Sequence, residues 1–83
     1  MVKQNTKILR NPDLQSTFGL SKSSIRNRIL DGLIPPPISL GYRAVGWLES
    51  ECLSVLSAMA AGKSKDQIKH LVLDLVKQRK ESL

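Results

Sequence analysis

The apolar positions of this chain fall into short periodic groups punctuated by glycine, proline and serine. Lys7-Ile8-Leu9-Arg10 reads as a short extended segment. Asn11-Pro12 then predicts a helix start, with Asn11 as the cap and Pro12 at the first helical position, where an N–H has no partner to lose. Asp13 places negative charge against the positive end of that helix. Leu14 and Phe18, four apart, share one face, and Gly19 ends the helix. Ser21 caps a second helix, with Leu20 available to pack just before it. Ile25 and Ile29, continued by Leu33, form its inner face, and Gly32 stops it. Pro35-Pro36-Pro37 cannot continue a helix and predicts a stiff extended connection.

Two short apolar stretches follow, Ile38-Ser39-Leu40 and Ala44-Val45-Gly46-Trp47, around Gly41-Tyr42-Arg43; they predict a β-hairpin. Glu49 or Ser50 opens a third helix running through Ala61, with Gly62 as its stop. Ser64 and Gln67 form a capping box for a fourth. There Ile68, Leu71, Val72, Leu75 and Val76 follow i, i+3, i+4, i+7, i+8, the cleanest amphipathic stripe in the chain. The tail from Lys77 to Leu83 is expected to fray. The fold class is therefore mainly α with a small β-hairpin. The first two helices, joined by a tight Gly-Leu-Ser turn, make a helix-turn-helix, and the hairpin is its wing. The chain reads as one domain over 1–83, with a winged helix-turn-helix core at 7–57 and a C-terminal helical extension at 58–83.

This arrangement nominates a binding face. The second helix is held from behind by Ile25 and Ile29, which leaves Ser21, Lys22, Ser23, Arg26, Asn27 and Arg28 as candidate DNA-contacting residues. Arginine can donate a bidentate pair to guanine and asparagine can do so to adenine. The amides freed by the Ser21 cap can meet a phosphate. Tyr42 and Arg43 stand in the hairpin turn with no hydrophobic reason to be there, so a wing reading puts Arg43 on phosphate or in a minor groove. A plain solvated helix face and a plain surface turn would show the same spacings.

Charge strengthens the first reading. The 83 residues carry a net charge of +6. Residues 1–48 hold Lys3, Lys7, Arg10, Lys22, Arg26, Arg28 and Arg43 against Asp13 and Asp31, a balance of +5, which leaves +1 for the remainder. A polyanionic partner is expected, and the positive field belongs to the N-terminal half. Cys52 is the single cysteine, so there is no intrachain disulfide and no cysteine-based metal site. No leader-like apolar region follows Met1, and no apolar run approaches the about 20 residues of a membrane span. A cytoplasmic location is expected.

The tracts Ile8-Leu9-Arg10, Gly19-Leu20-Ser21-Lys22-Ser23-Ser24-Ile25, Leu33 through Trp47, and Glu49-Ser50-Glu51 resemble the AlpA family of phage and prophage regulators. The resemblance covers roughly residues 7–57 with order and spacing preserved, and Pro37 to Trp47 is its most specific part. It implies a MerR-like winged helix-turn-helix related in fold to phage excisionases, with a recognition helix at 22–31 and a wing near 41–44. Family members act as DNA-binding transcription regulators or as directionality factors for excision. The expected use is excision of a mobile element by binding and bending double-stranded DNA, with control of a prophage or integrase promoter as the alternative. The further partners are integrase or RNA polymerase, the latter met through Glu49 and Glu51 or through the fourth helix, and self-association on DNA.

Other readings compete. Ala58, Gly62 and Ile68 also fit helix-turn-helix spacing, which would offer Lys65, Gln67, Lys69 and His70 to DNA. Against it, Asp66 would face phosphates, and this half has little net charge. The apolar stripe of the fourth helix could instead serve a protein–protein interaction module or a dimer seam. Trp47 and Cys52 are expected in the core. His70 lacks companion ligands, and no serine or cysteine sits in a nucleophile pattern, so neither enzyme chemistry, a metal nor a cofactor is expected.

Overall fold

The computed structural model describes residues 7–82, with side chains described for residues 7–79. The chain runs β1 (Ile8–Leu9), α1 (Asn11–Phe18), α2 (Lys22–Leu30), β2 (Ile38–Gly41), β3 (Ala44–Leu48), α3 (Glu49–Ala60) and α4 (Lys65–Ser82). It has the expected class, mainly helical with a small β element, in a helix-turn-helix arrangement. The hairpin is not a free two-stranded wing. The segment Ile8–Leu9 joins it as a third antiparallel strand, in the order β1-β3-β2. Ile8 pairs with Leu48 and Leu9 with Trp47, and the Glu49 amide donates to the Lys7 carbonyl at 2.9 Å. Between β2 and β3 a bulge at Leu40 interrupts the register, which runs Ile38 with Gly46, Ser39 with Val45, and Gly41 with Ala44.

Helix ends shift by a residue where chemistry other than the expected cap prevails. Arg10, not Asn11, caps α1, and Asn11 and Pro12 lie inside its first turn. The Asp13 carboxylate accepts from the Arg10 amide at 3.2 Å, while Asn11 Oδ1 accepts from Gln15 Nε2 at 2.7 Å. Asn11 therefore spends its oxygen along the helix instead of on the orphan amides. α2 stops at Leu30, with Asp31 as its C-cap. α3 begins at Glu49 and ends at Ala60. α4 does not fray from Lys77 but stays helical to Ser82. Residues 1–6, including Lys3 of the charge count and the segment read for a leader, and Leu83 lie outside the described residues.

Two hydrophobic clusters result. Leu9, Leu14, Ile25, Ile34, Trp47 and Cys52 form the first, under the helix-turn-helix and the sheet. Leu33, Val55, Ile68 and Val72 form the second, between α3 and α4, with Leu71, Leu75 and Val76 packed at its edge. Each fully buried aliphatic side chain contributes about 1.5–3 kcal/mol relative to exposure. The stripe of α4 thus packs within the chain, with Ile68 and Val72 buried and Leu71, Leu75 and Val76 half-buried at the cluster edge. Trp47 is in the core as expected, and its indole N–H donates to the Pro35 carbonyl at 3.1 Å. Glu51 is buried and paired with Arg79, so it is not a surface acid offered to a polymerase. Glu49 is half-buried, 3.9 Å from Lys7 Nζ.

Candidate nucleic-acid interface

The turn between α1 and α2 is built by three residues. Gly19 takes a left-handed conformation (φ 67°, ψ 33°) that costs a glycine little and any other residue about 1 kcal/mol or more. The Gly19 and Leu20 amides both donate to the Gln15 carbonyl, at 2.8 and 3.2 Å. Ser21 then caps α2, its hydroxyl accepting from the Ser24 amide at 3.2 Å. Ile25, 1% exposed, anchors the back of the helix in the first cluster. The helix is thereby held on one side only.

Its outer side gathers most of the candidates. Lys22, Ser23, Arg26 and Asn27 are all exposed, as is the cap Ser21. The first turn of α2 carries no acidic side chain, so nothing repels a phosphate there. Arg28 is not brought to this face. At about 100° per residue it points to the side opposite Arg26, is partly buried, and lines a cleft with Asp31, Leu33, Met59, Lys65 and Ile68. One residue of the outer face escaped the sequence reading. Leu30, 74% exposed, follows Arg26 by four and Asn27 by three and sits between them. Its signal was an apolar residue out of phase with Ile25 and Ile29. On the flank towards the hairpin, Lys22, Arg26 and Leu30 share a shallow groove with Asn11, Ile29 and Pro37.

The wing tip is geometrically unusual. Gly41 has φ 130°, and Arg43 has φ 55°, the one positive φ outside glycine among the described residues. Holding an arginine there costs about 1–2 kcal/mol. Tyr42 is 88% exposed, and the Arg43 guanidinium lies over its ring, 5.3 Å from the centroid. The tip therefore presents a cation backed by an aromatic face to solvent.

The competing α3–α4 turn does form, with Gly62 at φ 80° and Ile68 buried. Lys65, Lys69 and His70 are exposed. Gln67, however, is occupied as a cap: its Oε1 accepts from the Ser64 amide at 2.9 Å, and its own amide donates to Ser64 Oγ at 3.2 Å. Its carboxamide is thereby turned towards the helix start, not outward as a base reader. The Cys52 thiol is pushed up to about 12, chiefly by burial and next by the Glu51 carboxylate, so it remains a protonated core group with no nucleophilic character. Among the described residues no cluster of His, Cys, Asp and Glu could hold a metal ion, and no helix is long and apolar enough to cross a membrane.

Residues 7–54 match the family described as prophage CP4-57 regulatory protein (AlpA). The chain belongs to the AlpA family. It is also 37% identical, over 59 residues covering 71% of this chain and 67% of the relative, to the uncharacterized protein ORF88 of Enterobacteria phage P4. No solved structure matches the chain. AlpA is a regulatory family, not an enzyme family. Its matched segment takes in β1, both helices of the helix-turn-helix, the hairpin and the first half of α3, and stops before α4. Arg79 therefore belongs to the part of the molecule outside the AlpA match.

Proposed function

We propose that this AlpA-family chain is a sequence-specific double-stranded DNA-binding protein that inserts α2 into a major groove and lays the hairpin along the adjacent backbone or minor groove. The carrying observation is the outer face of α2, where Lys22, Ser23, Arg26 and Asn27 stand exposed together on a helix pinned from behind by Ile25. A helix of this kind enters a groove about 12 Å wide. Arg26 and Asn27 have the donor geometry to read guanine and adenine, Lys22 and Ser23 meet phosphate or a base edge, and the amides at the Ser21 cap favour a phosphate. The left-handed Arg43 supports the same reading, because a strained cationic tip is retained where glycine or asparagine would cost less. Arg28, turned to the rear, adds positive field and makes no base contact. In this proposal residues 1–83 act as one DNA-binding domain, with α4 as its brace.

Two uses share this contact. Regulation of a phage or prophage promoter, with RNA polymerase as the further partner, is favoured by the regulatory description of the family. Excision of an integrated element, with integrase as the partner, would use several copies on adjacent sites to share a bending cost of a few kcal/mol.

The test is equilibrium binding to a duplex selected from a random library by the full chain. With about four to six phosphates neutralised, log K falls against log salt with a slope of about −4 to −5. Arg26→Ala costs about 1–3 kcal/mol and relaxes preference at one base pair, whereas Arg43→Ala weakens all duplexes evenly. Unchanged binding in both, with Lys65→Ala and Lys69→Ala severe, would transfer the role to α4. Excision in vitro with integrase and attachment-site DNA, set beside transcription from a neighbouring promoter and circular-permutation gels, separates the two uses.

A further inference from the structure

The connection between α2 and the wing is three prolines, Pro35-Pro36-Pro37. Such a tract has no N–H to donate, so it cannot fasten itself to the fold by its own backbone donors; it is fastened through its carbonyls. Two of them are taken by side chains from later in the chain. Trp47 Nε1 of β3 donates to the Pro35 carbonyl at 3.1 Å. Arg79 Nη2 of α4 donates to the Pro36 carbonyl at 2.8 Å, across 43 residues of sequence. The same guanidinium is itself fixed. Its Nε donates to Glu51 Oε2 at 2.8 Å and its Nη2 to Glu51 Oε1 at 2.6 Å. The Arg79 and Glu51 side chains are 17% and 6% exposed. Glu51 lies in the first turn of α3, directly after the wing strand β3.

The fork of Arg79 thus ties three elements at one point: the start of α3, the end of α4, and the strut joining the recognition helix to the wing. Burying such a pair costs desolvation that the pairing only offsets, and the hydrophobic stripe of α4 already secures that helix. The third bond, to Pro36, holds the strut to the same point.

We propose that Arg79, held by Glu51, is a positioning residue that fixes the angle between the recognition helix and the wing. The proposal rests on the DNA-binding reading above, since the angle matters only if both elements engage one duplex. Two linked contacts reinforce each other only when geometry lets both form at once. The brace sits on α4, outside the AlpA match, so this chain supplies from its own C-terminal helix a constraint on the site that the matched segment does not contain.

The test uses the full chain and three variants. Glu51→Met with Arg79→Met removes both charges and keeps apolar volume, a change that is commonly neutral for stability and that abolishes the bond to Pro36. Arg79→Lys keeps the charge but not the planar fork that spans two acceptors. Arg79→Met alone leaves Glu51 buried without a partner and reports the cost of breaking the pair. The readouts are melting temperature, affinity for the library-selected duplex, affinity for a random duplex, and hydroxyl-radical footprint. The double variant is expected to melt near the wild type and to bind random duplex equally well. It should lose about tenfold or more on the selected duplex, with wing-side protection gone. Arg79→Lys should show a smaller loss of the same kind. Full retention of selected-duplex affinity and footprint in the double variant overturns the proposal and leaves the pair a role in folding alone. If the double variant does not fold, Arg79→Lys decides: a folded Arg79→Lys with unchanged preference and footprint overturns it equally. Absence of salt-dependent duplex binding by the wild type overturns the DNA reading and this proposal with it, a result distinct from the others.

Discussion

Gly46 lies in the middle of β3, where a glycine weakens a strand and needs a reason. A Cβ at this position would stand 2.6 Å from Ile8 Cγ2, 3.0 Å from Leu40 Cδ1 and 3.2 Å from the Leu9 carbonyl oxygen. The nearest atom is a branched methyl close to its own backbone, and the third is backbone, so neither yields by a rotamer change. Gly46→Ala must push β1 away from β3 or displace the bulged Leu40. Overpacking of this kind costs about 1–3 kcal/mol. The lost flexibility of the unfolded chain returns about 0.4–1 kcal/mol, so the steric cost wins and the net destabilisation is about 1–2 kcal/mol. For a domain of this size that is a fall in melting temperature of about 5–15 °C. Thermal unfolding followed by circular dichroism, with urea titrations to confirm an unchanged slope, measures it. Ile8→Ala removes the closest clashing methyl, so a double-mutant cycle should show the pair less destabilised than the sum by about 0.5 kcal/mol or more. A Gly46→Ala protein as stable as the wild type, with strictly additive Ile8→Ala, would refute the close approach of β1 as the reason for the glycine.

Three further outcomes follow from other parts of the molecule. Ile68→Ala, in the second cluster and 7% exposed, should lower stability by about 2–4 kcal/mol without changing sedimentation; a shift in mass at unchanged stability would instead make the α4 stripe a dimer seam. Leu30→Ala should erase a preference for thymine at one selected position, because an exposed leucine on the proposed contact face is placed to meet a thymine methyl. Replacing that thymine by uracil should then weaken the wild type and leave the variant unchanged; an equal effect on both removes Leu30 from the interface. Cys52 has its folded thiol raised from 9.0 to about 12, so the folded state keeps its proton longer than the unfolded chain. Its contribution is whole below pH 9 and is lost as pH rises towards 12, where the wild type should lose stability more steeply than Cys52→Ala in alkaline denaturation; parallel curves would show that the thiol ionises unhindered.

Local chemistry made much of this fold legible. Gly19, Ser21 and Gly32 mark the helix-turn-helix with residues whose backbone roles are nearly unique to them. The Ser64–Gln67 box and the spacing of Ile68 to Val76 placed α4 and its covered face. The outer face of α2 followed from the phase of Ile25. What escaped depends on pairings across long stretches of chain. Ile8–Leu9 reads as extended from its own sequence, but that it joins the hairpin as a third strand depends on β3, some forty residues later. Glu51 reads as a surface acid until Arg79 arrives from 28 residues away. Asn11 departs from its expected cap for a local reason, since its side chain has two partners within reach and takes Gln15. Arg28 stands close to Arg26 in sequence, yet residues two apart on a helix face nearly opposite ways. Leu30 gives no core signal, because it falls out of phase with Ile25 and Ile29 and stays exposed.

Cys52 and Val55, three residues apart on α3, belong to different clusters, and Phe18 packs against both. One helix is therefore a shared wall, and it comes after every residue proposed to contact DNA in the order of synthesis. A nascent chain that has emerged as far as Leu48 possesses α2 and the hairpin, but Leu14, Ile25 and Trp47 still lack the side of the core that Cys52 closes. At about 5–20 residues per second, the helix of 12 residues that supplies this wall needs about a second more to be made. The proposed contact surface is thus born before the scaffold that holds it in shape, and a ribosome stalled at the end of the hairpin would carry every proposed contact residue on an unfinished core.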